Sequence, residues 1–133
     1  MGDVHQPSDA ELEILQVVWK EEPVTVRKVH EVLSESKKVV YTTTLKQMQR
    51  MTNKGILERK GSGKSHQYSA IVKEENVQKS LYQKLVNSAF KGSVMKLVMH
   101  ALGNAKTTDE EIEALETFLE QQKKRPNNDL TSK

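Results

Sequence analysis

The segment from residue 39 to residue 68 constrains the fold most, because it combines an amphipathic helix with a glycine-containing turn. Projected with the α-helical period, the inner side of the helix consists of Thr44, Leu45, Met48 and Met51. The opposite side is polar and carries every cation of the helix: Thr42, Thr43, Lys46, Gln49, Arg50, Asn53 and Lys54. Gly55 is predicted to end the helix, since glycine adopts the left-handed conformation there with little strain.

A basic hairpin is predicted directly after this helix. The strand-forming segments are ILERK and HQYSAI, and they flank residues 61–65, whose two glycines allow the chain to reverse. A polar, cationic helix followed by such a hairpin is typical of a winged helix, a fold that places its helix in a DNA groove.

Two shorter helices are predicted before this segment. Ser8 and Glu11 have the spacing of a capping box, which starts the first helix. The inner side of that helix consists of Leu12, Leu15, Val18 and Trp19. Pro23 ends it, and Thr25 is predicted to cap the second helix. We therefore predict a mainly α, winged helix-turn-helix domain over residues 1–72.

Positive charge is concentrated on the third helix and the hairpin. Residues 1–36 hold three cations and eight acids, whereas residues 37–66 hold eight cations and one acid. This concentration supplies the counterion release that dominates affinity for a phosphate backbone. The alternative interpretation is a solvated basic face with no partner.

A set of polar residues is predicted to contact double-stranded DNA: Tyr41, Thr42, Thr43, Lys46, Gln49, Arg50, Lys54, Lys60, Lys64 and His66. Thr42, Thr43 and Lys46 are predicted to lie nearest the bases, because the first residues of a recognition helix enter the major groove. Arg50 either reads a guanine or holds a phosphate, and the hairpin residues reach phosphate or the minor groove. These alternatives stay open at the level of sequence.

Residues 73–122 are predicted to be a helical dimerisation region. Their apolar side chains recur at helical spacing and are predicted to pack against a second copy: Leu81, Leu85, Phe90, Val94, Leu97, Val98, Ile112, Leu115 and Leu119. Gly92 is predicted to break the first of these helices, Gly103 to cap the next, and Thr108 with Glu111 to start the last. The alternative is that these helices fold back on their own domain.

Enzymatic and metal-binding functions are not predicted, and no cofactor is expected. The chain has no cysteine, His30 has no second ligand one helical turn away, and no nucleophile is paired with a base. Gly63-Lys64-Ser65 is similar to the end of a nucleotide-binding loop, but Glu58 replaces its first glycine. Without a signal sequence or an apolar run of membrane length, the protein is predicted to be cytoplasmic, and its polar residues 123–133 to be disordered.

The chain resembles a known family over residues 8–119. The opening helices of the penicillinase-repressor (BlaI/MecI/CopY) family are similar to the segment SDAELEILQVVWKEEPVTVRKVHEVL. The recognition helix and first wing strand of the family resemble YTTTLKQMQRMTNKGILERK, and the second strand resembles GKSHQY.

This resemblance implies a homodimeric winged-helix repressor that binds an inverted repeat in its own promoter region. It also implies a membrane sensor metallopeptidase as a partner, in a β-lactam-type or related stress response. In β-lactam-responsive members an asparagine-phenylalanine bond is cut, and the matching place here is His100-Ala101. Copper-responsive members carry paired cysteines, which this chain lacks. The alternative function is a winged-helix module that binds proteins without touching DNA.

Overall fold

The computed structural model describes residues 6–61 and 66–125, which form six helices and one hairpin. In chain order the elements are α1 (Asp9–Glu21), α2 (Val26–Ser34), α3 (Tyr41–Asn53), β1 (Leu57–Lys60), β2 (Gln67–Ala70), α4 (Glu74–Ala89), α5 (Val94–Asn104) and α6 (Asp109–Lys123). The mainly helical class with a small hairpin is as predicted. Lys64, in the predicted turn, and residues 126–133, in the predicted tail, lie outside the described residues.

The predicted caps at the starts of α1 and α2 and the predicted end of α3 are present in the structure. Ser8 Oγ accepts from the backbone N–H of Glu11 at 3.2 Å, and the Glu11 carboxylate accepts from the Ser8 N–H at 2.9 Å. Thr25 Oγ1 accepts from the N–H of Lys28 at 3.1 Å and starts α2. Gly55, with φ of +83°, follows the end of α3. The capping box, the Thr25 cap and the glycine stop are therefore confirmed.

The hydrophobic core of the winged helix lies between α1, α2, α3 and the hairpin. Its buried apolar residues are Ile14, Leu15, Val17, Val18, Val24, Val26, Val29, Met48, Met51, Ile56, Leu57 and Tyr68. Trp19 packs against the edge of this cluster, and its indole N–H donates to the carbonyl of Val72 at 3.0 Å. The ring therefore also fixes the chain where it leaves the hairpin.

The hairpin is attached to the connection between α1 and α2. β1 and β2 are antiparallel, with Leu57 opposite Ala70 and Lys60 opposite Gln67. Val24 and Tyr68 exchange two backbone hydrogen bonds of 2.9 and 2.7 Å. This bridge was not predicted from sequence, and it holds the hairpin at a fixed place beside the helices.

The chain divides into two compact units, each defined by the contacts among its own residues: Met1–Leu85 and Val86–Lys133. Gly92, at φ of +83°, separates α4 from α5 as predicted. Gly103 was predicted to cap α5 but lies within it, and the helix ends on an extended Ala105. Thr108 and Glu111 form the predicted capping box of α6. None of the described helices is long and apolar enough to cross a membrane.

Candidate nucleic-acid interface

The polar side of α3 is the surface on which the candidate site is built. Thr44, Met48 and Met51 are buried on the other side, with at most 2% of each exposed. The residues predicted to face DNA from this helix are all exposed: Tyr41, Thr42, Thr43, Lys46, Gln49 and Arg50. The Arg50 Nη2 donates a hydrogen bond to Oε1 of Gln47 at 3.1 Å. The two faces of α3 are therefore as predicted, while contact with DNA stays a prediction.

Lys54 has a partner that the sequence did not predict. Its Nζ lies 2.8 Å from Oε2 of Glu11, and the Glu11 side chain is only 2% exposed, whereas that of Lys54 is 49% exposed. The second oxygen of the same carboxylate accepts from Ser8 in the capping box. Glu11 therefore ties the start of α1 to the end of α3. Lys54 therefore has a structural role that the sequence did not indicate, while its contact with phosphate stays a prediction.

Tyr41, the first residue of α3, contacts two side chains of α2. The Arg27 Cζ lies 5.8 Å from the centroid of the tyrosine ring. The ring of His30 meets the same ring edge-on at 5.5 Å. A groove of about 480 Å³ opens beside Tyr41, lined by Thr25, Val26, Arg27, Tyr41, Leu45, His66 and Tyr68. The structure therefore brings the predicted residues Tyr41 and His66 together, and it adds Arg27.

Arg27 was missed because the sequence gives no sign that this part of α2 lies beside Tyr41. Its side chain is exposed, opposite the buried Val26 and Val29 side of the helix. Helical periodicity predicts that exposure, but it does not predict which neighbouring element the exposed side meets.

Arg59, which was not predicted, lies beside α3 on the hairpin. Successive residues of a strand point to opposite faces, so Arg59 shares the face of the buried Leu57. It lines a groove of about 260 Å³ with Gln49, Thr52, Asn53 and Tyr68. The predicted Lys60 is exposed and lies 4.0 Å from the carboxylate of Glu58. The alternation of side chains along a strand, applied from the buried Leu57, could have predicted that Arg59 points towards α3.

The candidate interface offers cations, hydroxyls and amides. Within residues 6–61 and 66–125, no three side chains of histidine, cysteine, aspartate or glutamate could hold a metal ion together. Arrays of arginine, lysine, threonine and glutamine on an exposed helix can donate hydrogen bonds to phosphates and base edges. The chemistry of the site is therefore that of anion and nucleic-acid recognition.

Comparison with known proteins identifies relatives of this chain. The penicillinase repressor family matches residues 7–121. The penicillinase repressor of Bacillus licheniformis is 28% identical over 125 residues, which cover 94% of this chain and 98% of that protein. The methicillin resistance regulatory protein MecI of Staphylococcus aureus is 24% identical over 115 residues, 86% of this chain and 94% of that protein.

One solved structure adds a further likeness. The solution structure of the DNA binding domain of the repressor BlaI is 29% identical, with a TM-score of 0.49, over 57% of this chain and 93% of that chain. The family match covers nearly all of the described residues, and its members are repressors of transcription, not enzymes. The chain belongs to the penicillinase-repressor family of winged-helix transcriptional repressors.

Proposed function

We propose that this chain is a cytoplasmic, homodimeric repressor that binds an inverted-repeat operator in double-stranded DNA. The observation that supports this most is the division of α3 into a buried side and an exposed side that offers only polar and cationic groups. In a helix-turn-helix protein the second helix of the motif enters the major groove, and a dimer presents two such helices to two half-sites. Each α3 would then read one half of the inverted repeat.

The proposed contacts follow from the order of residues along α3. Thr42, Thr43 and Lys46 lie in its first turns, which approach the base edges. Gln49 and Arg50 follow one turn later, where an arginine reaches a guanine or a phosphate. The hairpin adds Arg59 to the predicted Lys60, Lys64 and His66. Lys54 stays a proposed phosphate contact, and its ammonium is also paired with Glu11.

The proposal includes a membrane sensor metallopeptidase as the regulatory partner, as the family resemblance implies. The bond that corresponds to the cleaved position, His100-Ala101, lies inside α5. Because His100-Ala101 differs from the asparagine-phenylalanine pair that is cut in β-lactam-responsive members, cleavage at this bond is not part of the proposal. The gene neighbourhood would show whether a sensor of this class accompanies the repressor.

DNA binding is tested with the full chain and a duplex taken from the region upstream of its own gene. We expect a mobility shift whose affinity falls steeply as salt is raised, because phosphate contacts release counterions. An unrelated duplex of equal length measures the non-specific part. If the chain shifts neither duplex at low salt, DNA binding is wrong, and a module that binds proteins is the remaining hypothesis.

Arg50→Ala tests whether the polar side of α3 contacts the operator. The substitution is expected to weaken operator binding by about 1–3 kcal/mol, roughly 5- to 150-fold, and to relax the preference at one base pair if Arg50 reads a base. Lys20→Ala is the matched control, since it removes one exposed cation from α1, which contributes none of the proposed contacts. Equal operator affinity for Arg50→Ala and the unchanged protein at fixed salt would contradict the assignment.

A further inference from the structure

Arg27 is an exposed cation that the winged helix holds in place without neutralising it. Within the described part of the chain, Lys37 is paired with Glu13 at 2.6 Å and Lys54 with Glu11 at 2.8 Å. Arg27 is in no such ion pair among those residues, and its contact is with the face of the Tyr41 ring. An aromatic face attracts a guanidinium and orients its plane but does not cancel its charge.

Tyr41, which contacts Arg27, is itself fixed by two other parts of the structure. His30, one turn after Arg27 on α2, meets the Tyr41 ring edge-on at 5.5 Å, while the start of α3 fixes the Tyr41 backbone. Arg27 therefore loses less side-chain freedom on binding a ligand than an exposed arginine with no such contact.

The groove beside this pair gathers donors from three separate elements. Arg27 comes from the first turn of α2, Tyr41 from the first residue of α3, and His66 from the residue before β2. A guanidinium, a phenol hydroxyl and an imidazole N–H can each donate a hydrogen bond to one oxyanion. The groove therefore has the donor chemistry of a phosphate site.

We infer that Arg27, Tyr41 and His66 form a clamp on a DNA backbone phosphate next to the half-site read by α3. This inference rests on the proposed function. Phosphate is favoured over a base because the first helix of a helix-turn-helix motif, here α2, crosses the backbone while the second enters the groove. The clamp would set the position of α3 in the groove, since backbone contacts fix the register of a protein on the duplex.

The chain offers a matched control next to the residue under test. Lys28 adjoins Arg27, is exposed and carries the same charge, but it lines a different groove, which it shares with Gln16, Val17 and Lys20. Arg27→Ala and Lys28→Ala thus remove the same charge from two sides of one helix turn. Arg27→Lys keeps the charge but removes the planar, bidentate donor.

Mobility shifts of these variants over a range of salt concentrations test the clamp. For Arg27→Ala we expect about a tenfold loss of affinity for both operator and unrelated DNA. The plot of log K against log salt should become less steep by about 2, because each subunit of the dimer loses one phosphate contact. Lys28→Ala is expected to keep the slope of the unchanged protein. Arg27→Lys is expected to keep that slope and lose part of the affinity.

Each of the other outcomes contradicts the clamp. Together they distinguish a failure of the clamp from a failure of the proposed function. If the unchanged protein binds its operator with a steep salt dependence but Arg27→Ala matches Lys28→Ala, only the clamp is wrong. If Arg27→Ala changes the preference at one base pair, Arg27 reads a base and the phosphate assignment is wrong. If the unchanged protein binds no DNA, both the clamp and the proposed function fail.

Discussion

At the scale of single residues, Glu11 shows how one side chain performs two tasks, only one of which is visible in the sequence. Its spacing from Ser8 predicted the capping box, because both partners lie within four residues. Its ion pair with Lys54 joins residues 43 positions apart, which no local pattern records. Helical projection placed Lys54 on the open face and so suggested a phosphate ligand. The tertiary contact adds a structural role for Lys54, and the phosphate contact stays a prediction.

Lys54→Ala is expected to destabilise the protein by about 1–3 kcal/mol, because it removes a cationic partner of a carboxylate that is 2% exposed. Lys37→Ala is the comparison, since it breaks the Lys37–Glu13 pair, whose side chains are 46% and 47% exposed. Exposed pairs contribute less than about 1 kcal/mol. Urea unfolding at one protein concentration measures both. Equal losses would show that the buried position of Glu11 has no energetic consequence.

At the scale of elements, short sequence patterns predicted most helix ends. Contacts between residues far apart in the chain were not predicted. The capping boxes of α1 and α6 are confirmed, since each needs only four consecutive residues. The Val24–Tyr68 bridge could not be predicted, because its partners are far apart in the chain. Gly103 was assigned wrongly, since glycine is favoured at a helix cap but is also tolerated inside a helix, at a cost of about 1 kcal/mol relative to alanine.

Gly55 and Gly103 provide a paired test of these helix ends, because an added Cβ meets no atom within 4 Å at either position. Only Gly55 has a left-handed backbone, with φ of +83°. Gly55→Ala is therefore expected to destabilise the protein by about 1 kcal/mol, from backbone strain alone.

Gly103→Ala is expected to have the opposite sign, a gain of about 0.5 kcal/mol, because alanine is the better residue inside a helix. Thermal unfolding followed by circular dichroism gives both values. A loss of stability in Gly103→Ala would contradict the placement of Gly103 within α5.

At the scale of the whole molecule, the second unit leaves apolar side chains exposed on its helices. Sequence periodicity identified part of this surface on α5, where Val94 is 52% and Val98 is 41% exposed. It missed Met95, Met99 and Leu102, which are 66%, 64% and 41% exposed. A helix that is apolar on more than one side is normally buried. The single chain does not bury α5, and a second copy that covers it, as proposed for the homodimer, would do so.

α6 allows that dimer to be tested without disturbing the fold of one chain. Leu119 is 58% exposed and belongs to the predicted dimerisation stripe, whereas Thr117 is exposed on the opposite side of the same helix. Leu119→Glu and Thr117→Glu each add one carboxylate at a position that is open in the single chain. Sedimentation at a series of protein concentrations gives the dimer dissociation constant of each variant.

If a second copy covers the stripe, Leu119→Glu must bury a charge and should raise the dissociation constant at least tenfold, about 1.4 kcal/mol, while Thr117→Glu leaves it unchanged. Operator affinity should fall together with dimerisation, because a single α3 reads only one half-site. If the helices instead fold back on their own domain, Leu119→Glu will lower the free energy of unfolding and leave the mass in solution unaltered. An unchanged protein that stays monomeric at every concentration would contradict the homodimer itself, and with it the match between two recognition helices and an inverted repeat.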